Sequence, residues 1–193
     1  MTTPGGLDPT QVRVAPSGAI YVAPAGTTAP TGPSSALAAP WIHLGFATDD
    51  GVTLARSMDT ETVNGWQSSA PLRYIVTGTS LTLQFGLLQF NHATVPLYFG
   101  LPTSAIVDTA GVFTMKIPAD LPIEERAWCI ETIDGTVHTR YVVLRGMVTE
   151  TDDLPLKRTE QSVLAMTVSA MAATDGSLAQ LITDDPNLDP TPV

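Results

Sequence analysis

Cysteine is nearly absent. Cys129 is the single one in 193 residues, so no intramolecular disulfide and no cysteine-based zinc site can form. Within "RAWCIETI" it reads as a strand residue packed against its neighbours. Bases are scarce too, with 9 Lys and Arg against 19 Asp and Glu. The resulting formal charge of −10 argues against attraction to nucleic-acid phosphates or anionic membranes. It does not argue against DNA passing close by, because an acidic wall lets phosphates slide where Lys and Arg would hold them. Long apolar runs are missing as well: "LLQF" and "YVVL" fall far below the roughly 18 residues of a membrane span. The opening "MTTPGGLDPTQV" has neither the basic start nor the apolar stretch of a signal peptide. A soluble protein made in a cytoplasm is the expectation.

Catalytic patterns are equally sparse. There is no Gly-rich phosphate loop, no His-Glu-x-x-His and no Gly-x-Ser-x-Gly. His43, His92 and His138 are isolated in sequence, without a second ligand at metal spacing. Carboxylate pairs occur at Asp49-Asp50, Glu124-Glu125, Asp152-Asp153 and Asp184-Asp185. None has the spacing of a calcium loop, and turn chemistry and solubility account for them. The expectation is a protein that is not an enzyme and needs no cofactor or metal.

What the sequence does hold is Thr, Ser, Pro and Gly in place of charge, since charged residues make up only 15% of the chain. That composition favours strands and turns. Residues 1–40 carry Pro4, Pro9, Pro16, Pro24, Pro30, Pro33 and Pro40, which predicts an extended N-terminal arm with at most one strand, "GAIYVA". Residues 41–172 form the expected core. Residues 173–193 read as an acidic tail, with a turn of helix in "GSLAQLI" and disorder from Asp184 onward.

The core's dominant period is two. "WIHLGFA" and "GVTLARS" flank Asp49-Asp50-Gly51, which predicts a hairpin turn. "RAWCIETI" and "TVHTRYVVLRG" flank Asp134-Gly135, which predicts a tighter one, with Glu131 opposite His138 and Trp128 opposite Tyr141. A strand is expected from 72 to about 89. Asn91 then caps a short helix in "HATVPLYFG" that Pro96 limits and Gly100 ends. Further strands are expected at 111–117 and in "EQSVLAMTVSAM". The fold class is mainly β: a two-sheet β-sandwich or partly closed barrel with one short flanking helix and extended arms.

Three tryptophans stand out. Trp41 and Trp128 fall in alternating strands and read as core, while Trp66 lies among small polar residues in "DTETVNGWQSSAP". An aromatic on a projecting polar loop suits a protein–protein anchor; folding back as a lid over the core is the other reading.

Taken together, "SGAIYVAPAGTTAPT", "WIHLGFATDDGVTLARS", "VNGWQSSAPLRYIVTGTSLTLQFGLLQFNHATVPLYFG" and "RYVVLRGMVTETDDLPLKRTEQSVLAMTVSAM", spanning about residues 13–172, resemble the major tail proteins, or tail tube proteins, of long-tailed bacteriophages. The likeness is to the siphophage type, particularly phages of actinobacteria. It implies a sandwich fold shared with contractile-tail and type VI secretion tubes, and subunits that form stacked, usually hexameric rings around a channel for genome DNA. The partners implied are other copies of the chain, with tape-measure, tail-terminator and distal tail proteins. DNA would pass without specific binding, no membrane would be involved, and the location would be the virion tail, assembled in the host cytoplasm. The resemblance also implies an inter-ring loop at about 55–71, where Met58, Val63 and Trp66 would dock on the next ring. Asp59 and Glu61 would set its register against Arg73 or Arg140. The alternatives are a carbohydrate- or cell-surface-binding sandwich and a tube protein of a contractile injection system.

Overall fold

In the computed structural model, which describes residues 7–120 and 122–190, the period-two segments become ten strands. They are β1 (Ser17–Pro24), β2 (Ile42–His43), β3 (Ala47–Asn64), β4 (Pro71–Leu87), β5 (Ile106–Thr109), β6 (Val112–Met115), β7 (Arg126–Asp134), β8 (Val137–Thr151), β9 (Leu164–Ala170) and β10 (Gln180–Thr183). One helix, α1 (Thr94–Tyr98), joins them. The main sheet runs β2-β1-β7-β8-β9-β4-β3, with β10 added on β8, and β5-β6 form a second, two-stranded sheet. Every pairing is antiparallel. No helix among the described residues is long and apolar enough to cross a membrane.

Inward-pointing residues of non-adjacent strands meet to make the core. Ile20 and Val22 of β1, Trp128 and Ile130 of β7, Leu83, Phe85 and Leu87 of β4, and Leu164, Met166 and Val168 of β9 belong to one buried cluster. The rings of Phe85 and Trp128 lie 5.8 Å apart although β8 and β9 separate their strands in the sheet order. The sheet therefore folds over so that two halves face each other, as the sandwich expectation requires. Gly146 stands where β8 pairs with both β7 and β9. A Cβ there would lie 3.1–3.2 Å from Val168, the Ser169 carbonyl and Trp128, so the close approach at the fold favours glycine.

The short helix closes the core as the sequence predicts. Asn91 Oδ1 accepts from the backbone N–H groups of Ala93 and Thr94, at 2.8 and 3.0 Å. At the other end Gly100 has φ of 65°, while Leu101 N–H donates to Pro96 O at 2.8 Å and Gly100 N–H to Leu97 O at 3.0 Å. That pair of bonds is a Schellman termination.

Three local expectations are corrected and one is extended. Asp49, Asp50 and Gly51 are not a hairpin turn but an interruption within the single strand β3: Ala47 pairs with Leu87 and Val52 with Phe85, so five steps on β3 match two on β4. The positive φ of Gly51, 69°, serves this bulge instead of a chain reversal. In the β7–β8 hairpin the two central residues are Gly135 and Thr136, with Asp134 paired to Val137. Gly135, φ 62°, takes the first central position that a type II′ turn reserves for glycine. The register therefore shifts, placing Glu131 opposite Arg140 and Trp128 opposite Val143. The strand expected at 111–117 is half of a small hairpin, β5–β6, turning at Ala110 and Gly111, whose φ values are both positive. Finally, "QLIT" in the tail is strand β10 and not helix, because β8 offers a free edge from Thr139 to Val142.

The segments expected as arms contribute to the body. β1 pairs with β7 along its whole length. Residues 1–6 of the N-terminal segment and 191–193 of the C-terminal one lie outside the described residues.

Candidate functional site

Strands β3 and β4 form a hairpin longer than the body can cover. β4 pairs with β9 only from Thr82 to Leu87; beyond that point β3 and β4 pair only with each other, down to Asn64 and Pro71. At about 3.3 Å per residue, that free portion stands roughly 33 Å off the sheet. Its residues are rich in Thr, Val, Tyr and Ile, types that suit a pleated surface. The turn at its end is closed by Ser68 N–H donating to Gly65 O at 3.2 Å, with the Ser68 hydroxyl donating to Ala70 O at 3.0 Å. Trp66 sits in that turn and is 97% exposed. It does not fold back as a lid.

Strand alternation assigns the faces. Val52 packs on the core, so Leu54, Arg56, Met58, Thr60 and Thr62 continue the core-side face outward, with Arg56 its one charged member. Their partners on β4 are Leu83, Leu81, Thr79, Val76 and Tyr74. The opposite face carries Ser57, Asp59, Glu61 and Val63, facing Ser80, Gly78, Ile75 and Arg73. Thr77 is the extra residue of a bulge between the Asp59–Gly78 and Thr60–Val76 pairs. The core-side face thus leaves Leu54, Met58, Tyr74 and Val76 exposed, and Leu72 and Trp66 extend the apolar surface to the tip.

Such a ribbon is not self-sufficient. An isolated two-stranded hairpin is marginal in water, and this one has unpaired backbone on both long sides: β3 is the sheet edge, and β4 is free from Pro71 to Leu81. Exposed edges of this kind recruit another chain.

Of the residues singled out from sequence, Met58, Asp59, Glu61, Val63 and Trp66 all lie on this hairpin, with Met58 and Val63 on opposite faces. Arg73 is opposite Val63, and among the described residues no ion pair links it to Asp59 or Glu61. Arg140 is elsewhere. It is 3% exposed and donates to Glu131 Oε2 at 2.6 and 2.8 Å, to Gly32 O and Ser35 O, each at 2.7 Å, and to Ser35 Oγ at 3.1 Å. Arg140 as a charge partner for the hairpin is therefore corrected: its guanidinium is already saturated, pinning the Pro-rich segment 24–40 to the sheet. Asp49, Asp50 and Gly51 sit at the root of the hairpin, while Asp134 and Gly135 end a different one, β7–β8.

A cleft of about 970 Å³ opens between the sheet halves beside the hairpin root. Ile20, Val52, Leu54, Leu83, Ile130 and Tyr141 line it, and Arg13, Asp49, Asp134 and Asp185 are among its polar lining residues. Arg13 donates to both carboxylate oxygens of Asp185, at 2.5 and 2.6 Å. The Arg13 hydrogen bonds, helped by the Asn187 N–H, hold the Asp185 carboxyl down at about 2. Donating to Asp185 in turn raises Arg13 above its ordinary value. Val14 N–H donates to Asp134 Oδ2 at 3.3 Å. The two ends of the chain are thus clasped at one rim of the cleft. Sequence reasoning missed Leu54, Leu72, Tyr74 and Val76, whose only signal was alternation in register with Met58. It also missed the clasp, which joins residues 172 positions apart.

The His residues do not converge. His43 Nδ1 accepts from Gly45 N–H at 2.9 Å, and His138 Nδ1 is 4.0 Å from Glu131. Among the described residues no three of His, Cys, Asp and Glu gather as a metal site.

No curated protein matches the chain. Among solved structures it is similar to a chain in the cryo-EM structure of the anti-feeding prophage (AFP) baseplate, 6-fold symmetrised, at 10% identity and a TM-score of 0.46, over 94% of this chain and 97% of that one. A family model described as phage tail tube protein matches residues 5–193, and the chain belongs to that family.

Proposed function

We propose that this chain is the repeating subunit of a phage tail tube: it self-assembles into stacked rings, hexameric in our reading, that enclose a conduit for genome DNA in the virion tail. The observation that carries this reading is the β3–β4 hairpin. It stands clear of the body with an apolar face, two unpaired edges and a fully exposed Trp66 at its end, a set of features that a monomer has no use for and a stacked assembly does. Met58, Val63 and Trp66 make the inter-ring contact, with Asp59, Glu61 and Arg73 setting its register. The sheet edges pair from subunit to subunit around the ring, which removes the exposed backbone that would otherwise aggregate. The surplus of acid keeps DNA from adhering to the wall. The role is structural, without catalysis, and growth begins on tape-measure and distal tail proteins in the host cytoplasm and stops at a terminator.

Negative-stain electron microscopy of the purified chain, with Trp66→Ala beside it, tests this. Hollow tubes or stacked rings from the native chain, shortened or lost in the variant, are expected. Monomers at high concentration, even with a tail initiator present, would overturn the reading.

A further inference from the structure

We infer that the cleft between the sheet halves is the receptor for the hairpin tip of a second copy of this chain, so that each subunit carries both a knob and the hole it fits. The inference rests on the self-assembly reading and deepens it by naming where the hairpin lands. Three observations converge. The tip presents Trp66, Leu72 and Tyr74, which are 97%, 65% and 65% exposed, and Trp66 therefore fills nothing in its own chain. The cleft, about 970 Å³ and walled by Ile20, Leu54, Leu83, Ile130 and Tyr141, is at the upper end of the roughly 300–1,000 Å³ that encloses a compact ligand. It readily admits an indole with its flanking side chains.

Charge is complementary as well. From Thr62 to Val76 the only charged side chain is Arg73. The cleft lining has four carboxylates, Asp49, Glu131, Asp134 and Asp185, against Arg13 as its only Lys or Arg. Glu131 is neutralised by Arg140 and Asp185 by Arg13. Asp134 accepts from Val14 N–H and lies in the field of Arg13, whereas no ion pair engages Asp49 among the described residues, and Asp49 is the group left to receive the incoming guanidinium. Geometry supplies the last step. A protrusion and a complementary hole at different places on one surface make a head-to-tail contact, which propagates where a self-matching patch would stop at a dimer.

Two complementary variants test this. Trp66→Ala removes the knob and leaves the cleft; Ala15→Trp places a bulky ring in the lining of the cleft at an exposed position and leaves the knob. Each alone is expected to raise the concentration at which polymer forms by roughly tenfold or more. Mixed, they are expected to associate knob of one in cleft of the other and to stop there by sedimentation, as paired subunits or, where the sheet edges have closed rings, as paired rings, without further stacking. Polymerisation of Ala15→Trp at the native concentration would overturn the inference while leaving tube assembly intact. Failure of the native chain to polymerise would instead remove the reading beneath it, and the inference with it. Circular dichroism melts check that both variants fold. An independent readout is a bismaleimide cross-link between Ala15→Cys and Gln67→Cys in the assembled double variant. Inter-subunit links are expected, and their absence from polymer overturns the inference.

Discussion

Arg140 and Glu131 face each other across β7 and β8, joined by two hydrogen bonds of 2.6 and 2.8 Å to a single carboxylate oxygen. The remaining donors of the same guanidinium reach Gly32 and Ser35. One buried base thus neutralises an acid and fastens a loop over 100 residues distant in sequence. Arg140→Met should strand Glu131 in a largely buried position and cost about 3–5 kcal/mol in urea denaturation. Arg140→Met with Glu131→Leu should recover much of that stability. In both variants residues 24–40 should become sensitive to limited proteolysis, because the carbonyls of Gly32 and Ser35 lose their donor. Unchanged protease resistance would show that the loop is held by something else.

The clasp at the chain ends sets a pH expectation. Asp185 titrates near 2 against an ordinary 3.8, first because Arg13 donates to it. A carboxyl depressed in the folded state contributes stability that is complete above its unfolded value and lost as pH falls through its folded one. Arg13 stays charged throughout. The difference in melting temperature between the native chain and Asp185→Asn should therefore persist at pH 5, shrink between about 4 and 2, and vanish below. Arg13 is about a third exposed, enough for salt to weaken the effect. A difference that grew on acidification would contradict the assignment.

Cys129 should be silent in the folded protein. It is fully buried on β7, and burial pushes its thiol up to about 11, so at neutral pH there is almost no thiolate. A thiol reagent such as dithionitrobenzoate should react only at the rate of unfolding and stoichiometrically in denaturant. Rapid labelling of the native chain would place the thiol near the surface.

Truncating Trp66 should separate assembly from folding. Its side chain makes no buried contact in the monomer, so Trp66→Ala should change monomer stability by no more than about 0.5 kcal/mol. Trp128→Ala, which empties the centre of the core, should cost about 3–5 kcal/mol. Equilibrium denaturation of the two variants at a concentration below assembly makes the comparison.

Elements bounded by local chemistry were legible in the sequence. The cap at Asn91, the stop at Gly100 and the alternation of Leu81, Leu83, Phe85 and Leu87 are decided within a few residues, and they lie where the pattern indicates. Elements decided by a distant partner were not. Asp49-Asp50-Gly51 satisfies a turn and a bulge equally well, and only the pairing of Ala47 with Leu87 and Val52 with Phe85 selects the bulge. The register of the β7–β8 hairpin hinged on which residue after Asp134 took the left-handed position, a choice of one residue that moves every cross-strand pair. "QLIT" has no helix-breaking neighbour inside it, and its strand conformation comes from the free edge of β8. For the same reason the hairpin could be located through Trp66, while the partners of Met58 on its apolar face could not. Arg140 shows the same limit: the resemblance offers it as a charge partner for the hairpin, and only its pairing with Glu131 across the sheet shows that it is buried and already engaged.

The bulge at Thr77 gives the projecting hairpin a mechanical character. A ribbon two strands thick, interrupted by an unpaired residue between the Asp59–Gly78 and Thr60–Val76 pairs, twists and bends more readily than the eight-stranded body from which it grows. In any assembly joined through its tip, compliance is concentrated in this strut. A filament of such subunits would curve by flexing its connectors while each body keeps its shape.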